Sequence, residues 1–292
     1  MAAAIVLGLL FSGIGQYELL AQPEKTEKLD LNSIQAVMLE PPPFREHTAK
    51  SQNKPKQVTL VKVSEKPNQI TDEEYWFSSN SLTYPSYTPP NPFMGSKGDV
   101  PAFIPEKRKD RILTDCFYDD EYIYLVYGFN FGDCDMLYIV GKSDSKLLYA
   151  FDFTNYVIPP DFVQSDREFI NMRVNWAKIE GGVLYVSHAH STYAYSSKGM
   201  NAYITAIMLD SKEVIWRSKP LVCNSQNFLI EGDVIITGYG FTKEKDYIHL
   251  LDKYTGKVLK SIKIKSAASL FVKKGGRLYV RTYDTDYVFD IK

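Results

Sequence analysis

Residues 119–127 read DDEYIYLVY, an acidic turn followed at once by a strand of aromatic and β-branched residues. The same order of turn and strand recurs three more times before the C-terminus, which indicates an internal repeat. Acidic and glycine pairs favour the tight turns of β-hairpins, and side chains of these types suit a buried pleated sheet. The later copies are EGGVLYVS (180–187), EGDVIIT (231–237) and KGGRLYVRT (274–282).

Each copy is predicted to lie within a unit of four strands. A short apolar strand precedes the turn, and a third and a fourth strand follow, joined by a second recurring turn. Antiparallel units of roughly 45 to 60 residues predict a β-propeller, because one such unit cannot bury both faces and must stack on its neighbours. The leading strands are expected at 116–118, 176–179, 228–230 and 270–272, and the later strand pairs within 139–151, 207–216 and 250–259.

One of these units resembles a known repeat. Leu251–Leu259 (LDKYTGKVL), with Asp210–Trp216 as a weaker copy, resembles the repeat of quinoprotein-like (pyrroloquinoline quinone) β-propellers. In that repeat a Leu-Asp pair, a Thr-Gly turn and a strand that often carries Trp follow one another. The resemblance covers residues 112–292 and implies an all-β propeller of four four-stranded blades, with a degenerate fifth from residues 64–111 as the alternative.

The resemblance also bears on activity. Quinone-dependent dehydrogenases of this group are about twice as long and carry adjacent cysteines over the cofactor, whereas no two of the three cysteines here are adjacent. The resemblance therefore implies the non-catalytic members, which bind proteins or ligands in the cell envelope, and it implies no cofactor.

The organisation of the chain changes near residue 111. Residues 1–111 hold 12 of the 15 prolines but only 4 of the 21 tyrosines. This part is predicted to be largely irregular, because proline interrupts helices and sheet ladders alike. We expect a signal peptide or anchor at 1–21, a linker with a short helix at 22–57 (the helix at 33–39), a strand and a Pro-rich arm at 58–111 (the arm at 78–105), and the propeller at 112–292.

The last unit ends on its third strand, Tyr287–Ile291. Closed propellers avoid exposed edges by completing the final blade with a strand from the other end of the chain. Val58–Val63 (VTLVKV) is the convincing strand of the N-terminal part. We predict that it pairs with Tyr287–Ile291.

The N-terminus favours an extracytoplasmic location. Residues 2–15 are apolar or small, about the length of a signal-peptide core and short for a membrane span, although no basic residue precedes them. Export or a membrane tether is expected, and a core element of a cytosolic protein is the alternative. With three cysteines, one disulfide between Cys116 and Cys134 and three free thiols remain two open alternatives.

Charge excludes one class of partner. The formal net charge is -1, from 34 Lys and Arg against 35 Asp and Glu. Nucleic-acid binding needs a basic surface that neutralises phosphates, so no nucleic-acid partner is expected. The sequence carries no signal for an oligomeric state.

Aromatic residues gather in the loops between second and third strands, on the face where propellers usually bind. Rings and hydroxyls together suit a protein or glycan ligand, although packing between blades explains the same residues. The candidate ligand-binding residues are Tyr127, Phe129, His188, His190, Tyr193, Tyr195, Tyr239, Phe241 and Tyr283.

The alternative function is a propeller hydrolase or lyase. His188 and His190 lie two apart, so an extended strand would turn both imidazoles to one side, with Asp133, Asp135 or Asp284 as the carboxylate. Hydrolase elbows, phosphate loops and zinc-protease motifs are absent from the sequence. The acidic group 119–121 is interpreted as a turn and the long connection 154–175 as an ordered cap. The sequence assigns no catalytic residue and no metal ligand.

Overall fold

The computed structural model describes residues 27–40, 46–51, 53–156, 173–190, 197–242 and 244–292. Its strands are β1 Val37–Met38, β2 Leu60–Pro67, β3 Ser86–Tyr87, β4 Lys107–Arg108, β5 Arg111–Tyr118, β6 Tyr122–Asn130, β7 Asp133–Gly141, β8 Leu147–Asp152, β9 Arg173–Glu180, β10 Val183–Ala189, β11 Tyr203–Met208, β12 Val214–Arg217, β13 Leu229–Glu231, β14 Val234–Tyr239, β15 Tyr247–Asp252, β16 Val258–Lys263, β17 Ala268–Lys274, β18 Arg277–Thr282 and β19 Thr285–Ile291. One α-helix, α1 Glu73–Asn80, and two short 3-10 turns complete these elements. The all-β class is confirmed.

Sixteen of the nineteen described strands form four antiparallel units of four, and β1, β3 and β4 pair with strands of the first unit. Three units are consecutive in the chain: β5 to β8, β9 to β12, and β13 to β16. A single parallel bridge, Cys134 to Arg173, joins the first two units. At the first hairpin turn, Asp119 accepts hydrogen bonds from the backbone N–H groups of Glu121 and Tyr122 at 2.9 and 2.8 Å. The acidic group there shapes a turn, as the sequence indicated.

The fourth unit combines the last three strands of the chain with a strand from its N-terminal part. Strands β17, β18 and β19 pair in order, and β2 adds to β19 in antiparallel register, from Thr285 opposite Pro67 to Ile291 opposite Leu60. Beyond the strand, Thr59 and Lys292 exchange backbone hydrogen bonds of 2.7 and 3.0 Å. The predicted pairing of the N-terminal strand with the last unit is confirmed, although β2 begins at Leu60 and continues to Pro67.

The units stack through alternating faces of their strands. On β6, Tyr124 and Val126 face the cluster shared with the second unit, while Leu125 and Tyr127 face the opposite cluster. In the third unit, Ile235 likewise packs in the cluster of the first two units. The residues on either side of Ile235 pack in a second cluster, which the third unit shares with the fourth unit. Period-two alternation therefore supplies apolar surface to both sides of each sheet.

N-terminal segments cover the outer faces of this stack. Leu31 and Ile104 pack on the first unit, and Ile104 is fully buried. Trp76 of α1 packs against Leu270 and Val272 of the fourth unit. This helix precedes the Pro-rich arm, overlapping it only at residues 78–80, and the proline content of residues 58–111 did not indicate it.

The helix predicted at Ser33–Leu39 is wrong. The segment turns and then forms β1, in which Val37 and Met38 pair in parallel with Phe151 and Asp152. The outer edge of β8 offers unpaired backbone groups, and satisfying them outweighs a weak local helix preference.

The structure has three free thiols and not a disulfide between Cys116 and Cys134. Cys116, Cys134 and Cys223 are buried free thiols.

The apolar run 2–15 and most of the predicted cap 154–175 lie outside the described residues. No helix within the described ranges has the length and apolar character needed to cross a membrane.

Candidate functional site

Four of the predicted ligand residues lie inside strands, and all of these except Phe129 are buried. Tyr127, His188 and Tyr239 are buried, because β6, β10 and β14 continue past the points where the loops were expected. The Tyr127 hydroxyl donates to the backbone oxygen of Pro105 at 2.5 Å, and the Tyr239 hydroxyl bonds to Glu244. These side chains pack within the molecule.

Phe129 and Tyr283 are the exposed members of the set. Their exposed fractions are 47% and 65%, and the guanidinium of Arg111 lies 4.4 Å from the centre of the Phe129 ring. Phe241 is half-buried and His190 is buried. Tyr193 and Tyr195 lie outside the described residues.

The environment of His188 is a packed interior. Its Nε2 shares a 2.9 Å hydrogen bond with Thr205 Oγ1, and its ring stacks on Tyr203 with the centres 5.6 Å apart. Burial, and then the nearby charge of Arg217, hold the pKa of His188 well below its usual value. The imidazole is therefore neutral at physiological pH.

Two of the three carboxylates considered as partners of the histidines, Asp135 and Asp284, have other contacts. Arg111 donates to both oxygens of Asp135, at 2.8 and 3.0 Å, and Ser266 donates to Asp284 at 2.5 Å. Within the described part of the chain, no three His, Cys, Asp or Glu side chains are grouped closely enough to hold a metal ion.

A cleft lies where the first strands of two units meet the arm. Its volume is about 210 Å³, and we name it the Asp115 cleft. Its wall forms because β3 pairs with β5, Ser86 opposite Phe117 and Tyr87 opposite Cys116. Its lining includes Tyr84, Thr88, Asp115, Arg173, Trp176 and Gln226.

Aromatic rings form one side of the Asp115 cleft. Tyr84 stacks on Trp176 with ring centres 5.5 Å apart, and Trp176 stacks on Phe117 at 4.0 Å. Three segments distant in sequence therefore meet in one stack. Offset aromatic stacking of this kind fixes the rings and leaves a rigid apolar surface.

An ion pair crosses the Asp115 cleft. Arg173 Nη2 donates to Asp115 Oδ1 at 2.9 Å, and the two side chains remain 34% and 25% exposed. Burial raises the pKa of Asp115, and the Arg173 charge acts in the opposite direction.

Each partner of this pair keeps one polar atom unused. Asp115 Oδ2 and Arg173 Nε are buried and have no hydrogen-bond partner among the described residues. Buried polar atoms are nearly always paired, and leaving one unpaired costs about 1–3 kcal/mol. The ion pair thus leaves one buried acceptor and one buried donor without a partner at the Asp115 cleft.

Sequence reasoning missed this site. Asp115 was not singled out, and Arg173 was placed in the long connection after the first unit. The available signal was a polar residue inside an apolar first strand, in LTDCF (113–117) and RVNW (173–176). The two residues lie 58 positions apart in the sequence, and they come into contact only in the folded chain.

No family model and no curated protein matches the chain. Among solved structures, the chain is similar to BamB from Moraxella catarrhalis, with 11% identity, a TM-score of 0.33 and coverage of 59% of this chain and 56% of that one. It is similar to the computationally designed Ika4 protein (9%, 0.39, 64% and 95%) and to a europium-containing methanol dehydrogenase (11%, 0.33, 54% and 26%). The matched part thus spans about half of BamB and a quarter of the dehydrogenase. The strand pairings above, rather than these partial overlaps, define the architecture.

Proposed function

We propose that this chain is a non-catalytic, four-bladed binding propeller that holds an extended protein segment at the Asp115 cleft. The observation that carries the proposal is the pair of buried, unused atoms, Asp115 Oδ2 and Arg173 Nε. One peptide unit offers an N–H donor and a C=O acceptor, which complement this pair. An extracytoplasmic location, expected from residues 2–15, is part of the proposal.

The size of the Asp115 cleft favours a segment of a larger ligand. Small-molecule sites have volumes of roughly 300–1,000 Å³. The Asp115 cleft has about 210 Å³, enough for a side chain and its amide. A ligand anchored there would continue over the surface around the cleft.

The aromatic stack supports the same ligand class. The partly exposed Tyr84, stacked on the buried Trp176, gives an apolar contact beside the polar pair, and aromatic residues with Arg commonly carry most of the energy at binding sites.

The test begins with selection of ligands. The full chain is immobilised and used to enrich a random peptide display library, and a glycan array is probed in parallel. Affinities of the enriched ligands are measured for the wild type, for Arg173→Met and for Asp115→Asn. The matched control is Arg277→Met, which removes an arginine ion-paired to Asp290 at 3.2 Å in the fourth unit.

We expect enriched peptides to lose about 10–100-fold in affinity with Arg173→Met, the value of one or two hydrogen bonds to charged groups. Arg277→Met should bind like the wild type. Circular dichroism and thermal melting confirm that each variant is folded. If only glycans are enriched, the ligand is a glycan and not a protein segment. If the enriched peptides bind the wild type and Arg173→Met equally, the proposed binding at the Asp115 cleft is refuted.

A further inference from the structure

We propose that the hairpin tip at Phe93 and Met94 inserts into an anionic membrane surface. These are the two most exposed large apolar side chains among the described residues, at 74% and 83%. Solvent-exposed rings and thioethers at one spot need an explanation outside the molecule. The proposal goes beyond the binding function above and does not depend on it.

The tip is held in a fixed shape. Asn91 and Ser96 form an isolated antiparallel bridge, and Asn91 Oδ1 accepts hydrogen bonds from the N–H groups of Phe93 and Met94 at 3.0 and 3.2 Å. Gly95, at φ 69°, completes the turn with open space on its side-chain side. The two side chains are therefore displayed by local hydrogen bonds and not by packing.

This shape distinguishes a membrane from a protein partner. The tip is a convex turn of two adjacent apolar residues, whereas binding energy at protein interfaces concentrates in well-packed, water-excluding pockets and flat patches. Aromatic and large apolar side chains partition into the boundary between headgroups and acyl chains. A short protruding tip reaches that boundary without a complementary surface.

Two basic residues lie beside the tip. Lys97 and Lys107 line the cavity of about 420 Å³ beside Pro92 and Gly95, together with one carboxylate, Glu106. Both lysines are exposed, and neither takes part in an ion pair between described residues. An apolar tip with two ammonium groups beside it complements anionic lipid headgroups.

The experiment places a probe on the tip of the full chain. Met94→Cys is labelled with an environment-sensitive nitrobenzoxadiazole group, and Tyr283→Cys provides an exposed reference site. The native cysteines are at most 1% exposed, so the label selects the introduced thiol. Vesicles are phosphatidylcholine alone, or phosphatidylcholine with one third phosphatidylglycerol, at low and high salt.

We expect the label at residue 94 to shift to shorter wavelengths and brighten on anionic vesicles, and the label at residue 283 to stay solvent-like. Lys97→Gln with Lys107→Gln should weaken this binding about 25-fold, since each lysine near an anionic surface contributes about fivefold. High salt should weaken it as well. Lys260→Gln with Lys263→Gln, on the exposed strand β16, is the matched control and should change little.

The N-terminal run 2–15 could hold the chain on vesicles by itself, and the probe separates the two contacts. A solvent-like label at residue 94 on vesicle-bound protein overturns the proposal. So does an equal response to neutral and anionic vesicles, or the absence of any vesicle binding. A shift seen only with an added protein ligand would assign the tip to a protein partner instead.

Discussion

Gly256→Ala tests how neighbouring units lock together. Gly256 ends the Thr-Gly turn of the third unit at φ 74°, and a Cβ there would lie 2.4 Å from Trp216 Cε3 and 2.8 Å from Cδ2. Trp216 belongs to the second unit, is 1% exposed, and donates from Nε1 to the backbone oxygen of Lys253 at 3.1 Å. The rigid indole therefore cannot move aside.

The expected cost has two parts. A left-handed backbone with a side chain costs about 1–2 kcal/mol, and forcing a methyl group into the packed ring adds about 1–3 kcal/mol. The free energy of unfolding should therefore fall by about 2–5 kcal/mol. Gly275→Ala, at φ 59° with nothing within 4 Å of its Cβ, carries only the backbone cost and is the matched control.

Urea unfolding followed by circular dichroism measures both variants. Gly256→Ala should unfold at clearly lower urea than Gly275→Ala, with the same cooperativity. If the two variants differ by less than about 0.5 kcal/mol, the Thr-Gly turn does not pack on Trp216 and the explanation of the repeat fails.

Three further predictions concern closure, pH and thiols. Leu60→Ala, which truncates a buried residue of the closing strand, should cost about 2–4 kcal/mol in urea unfolding, and Val61→Ala, 39% exposed, under about 1; equal effects would contradict the closure. Burial, and then the charge of Lys219, lower the pKa of His249 to about 4. Below pH 6.5 the unfolded chain therefore binds a proton at this histidine, whereas the folded chain binds it only near pH 4. Stability should fall as pH drops from 6.5 toward 4, by up to about 1.4 kcal/mol per pH unit for this histidine, and His249→Gln should show a shallower slope; an unchanged slope would refute the assignment. Burial raises the pKa of Cys134 to about 12 and also raises that of Cys116, so iodoacetamide should label neither thiol in the folded chain and both in urea, as mass spectrometry would show.

Local patterns identified the repeating strands because each copy pairs a turn with an apolar run. The turn at Asp119 and the strand after it appear in the structure close to their predicted bounds. The closing strand was predictable for a different reason, since a unit with three strands needs a fourth to cover its edge.

The sequence misled where tertiary pairing decides the outcome. Val37 and Met38 form a strand because the edge of β8 is available for pairing. The aromatic residues Tyr75 to Phe77 lie in α1, which Trp76 anchors by packing against the fourth unit. Neither partner surface is visible in the local residues.

The candidate site was harder to predict for the same reason. Tyr127 and Tyr239 looked like loop residues, yet their strands extend through them and bury them. Asp115 and Arg173 meet only because two first strands lie side by side with the arm. Long-range contacts of this kind leave no spacing signal in one sequence.

Amide hydrogen exchange of the full chain with and without a selected peptide tests the central claim most directly. Binding at the Asp115 cleft predicts slower exchange in residues 84–88, 113–117 and 173–176, with the ladder of β2 and β19 unchanged. Slower exchange confined to other segments, with these three unaffected, would contradict the claim that the ligand occupies this cleft.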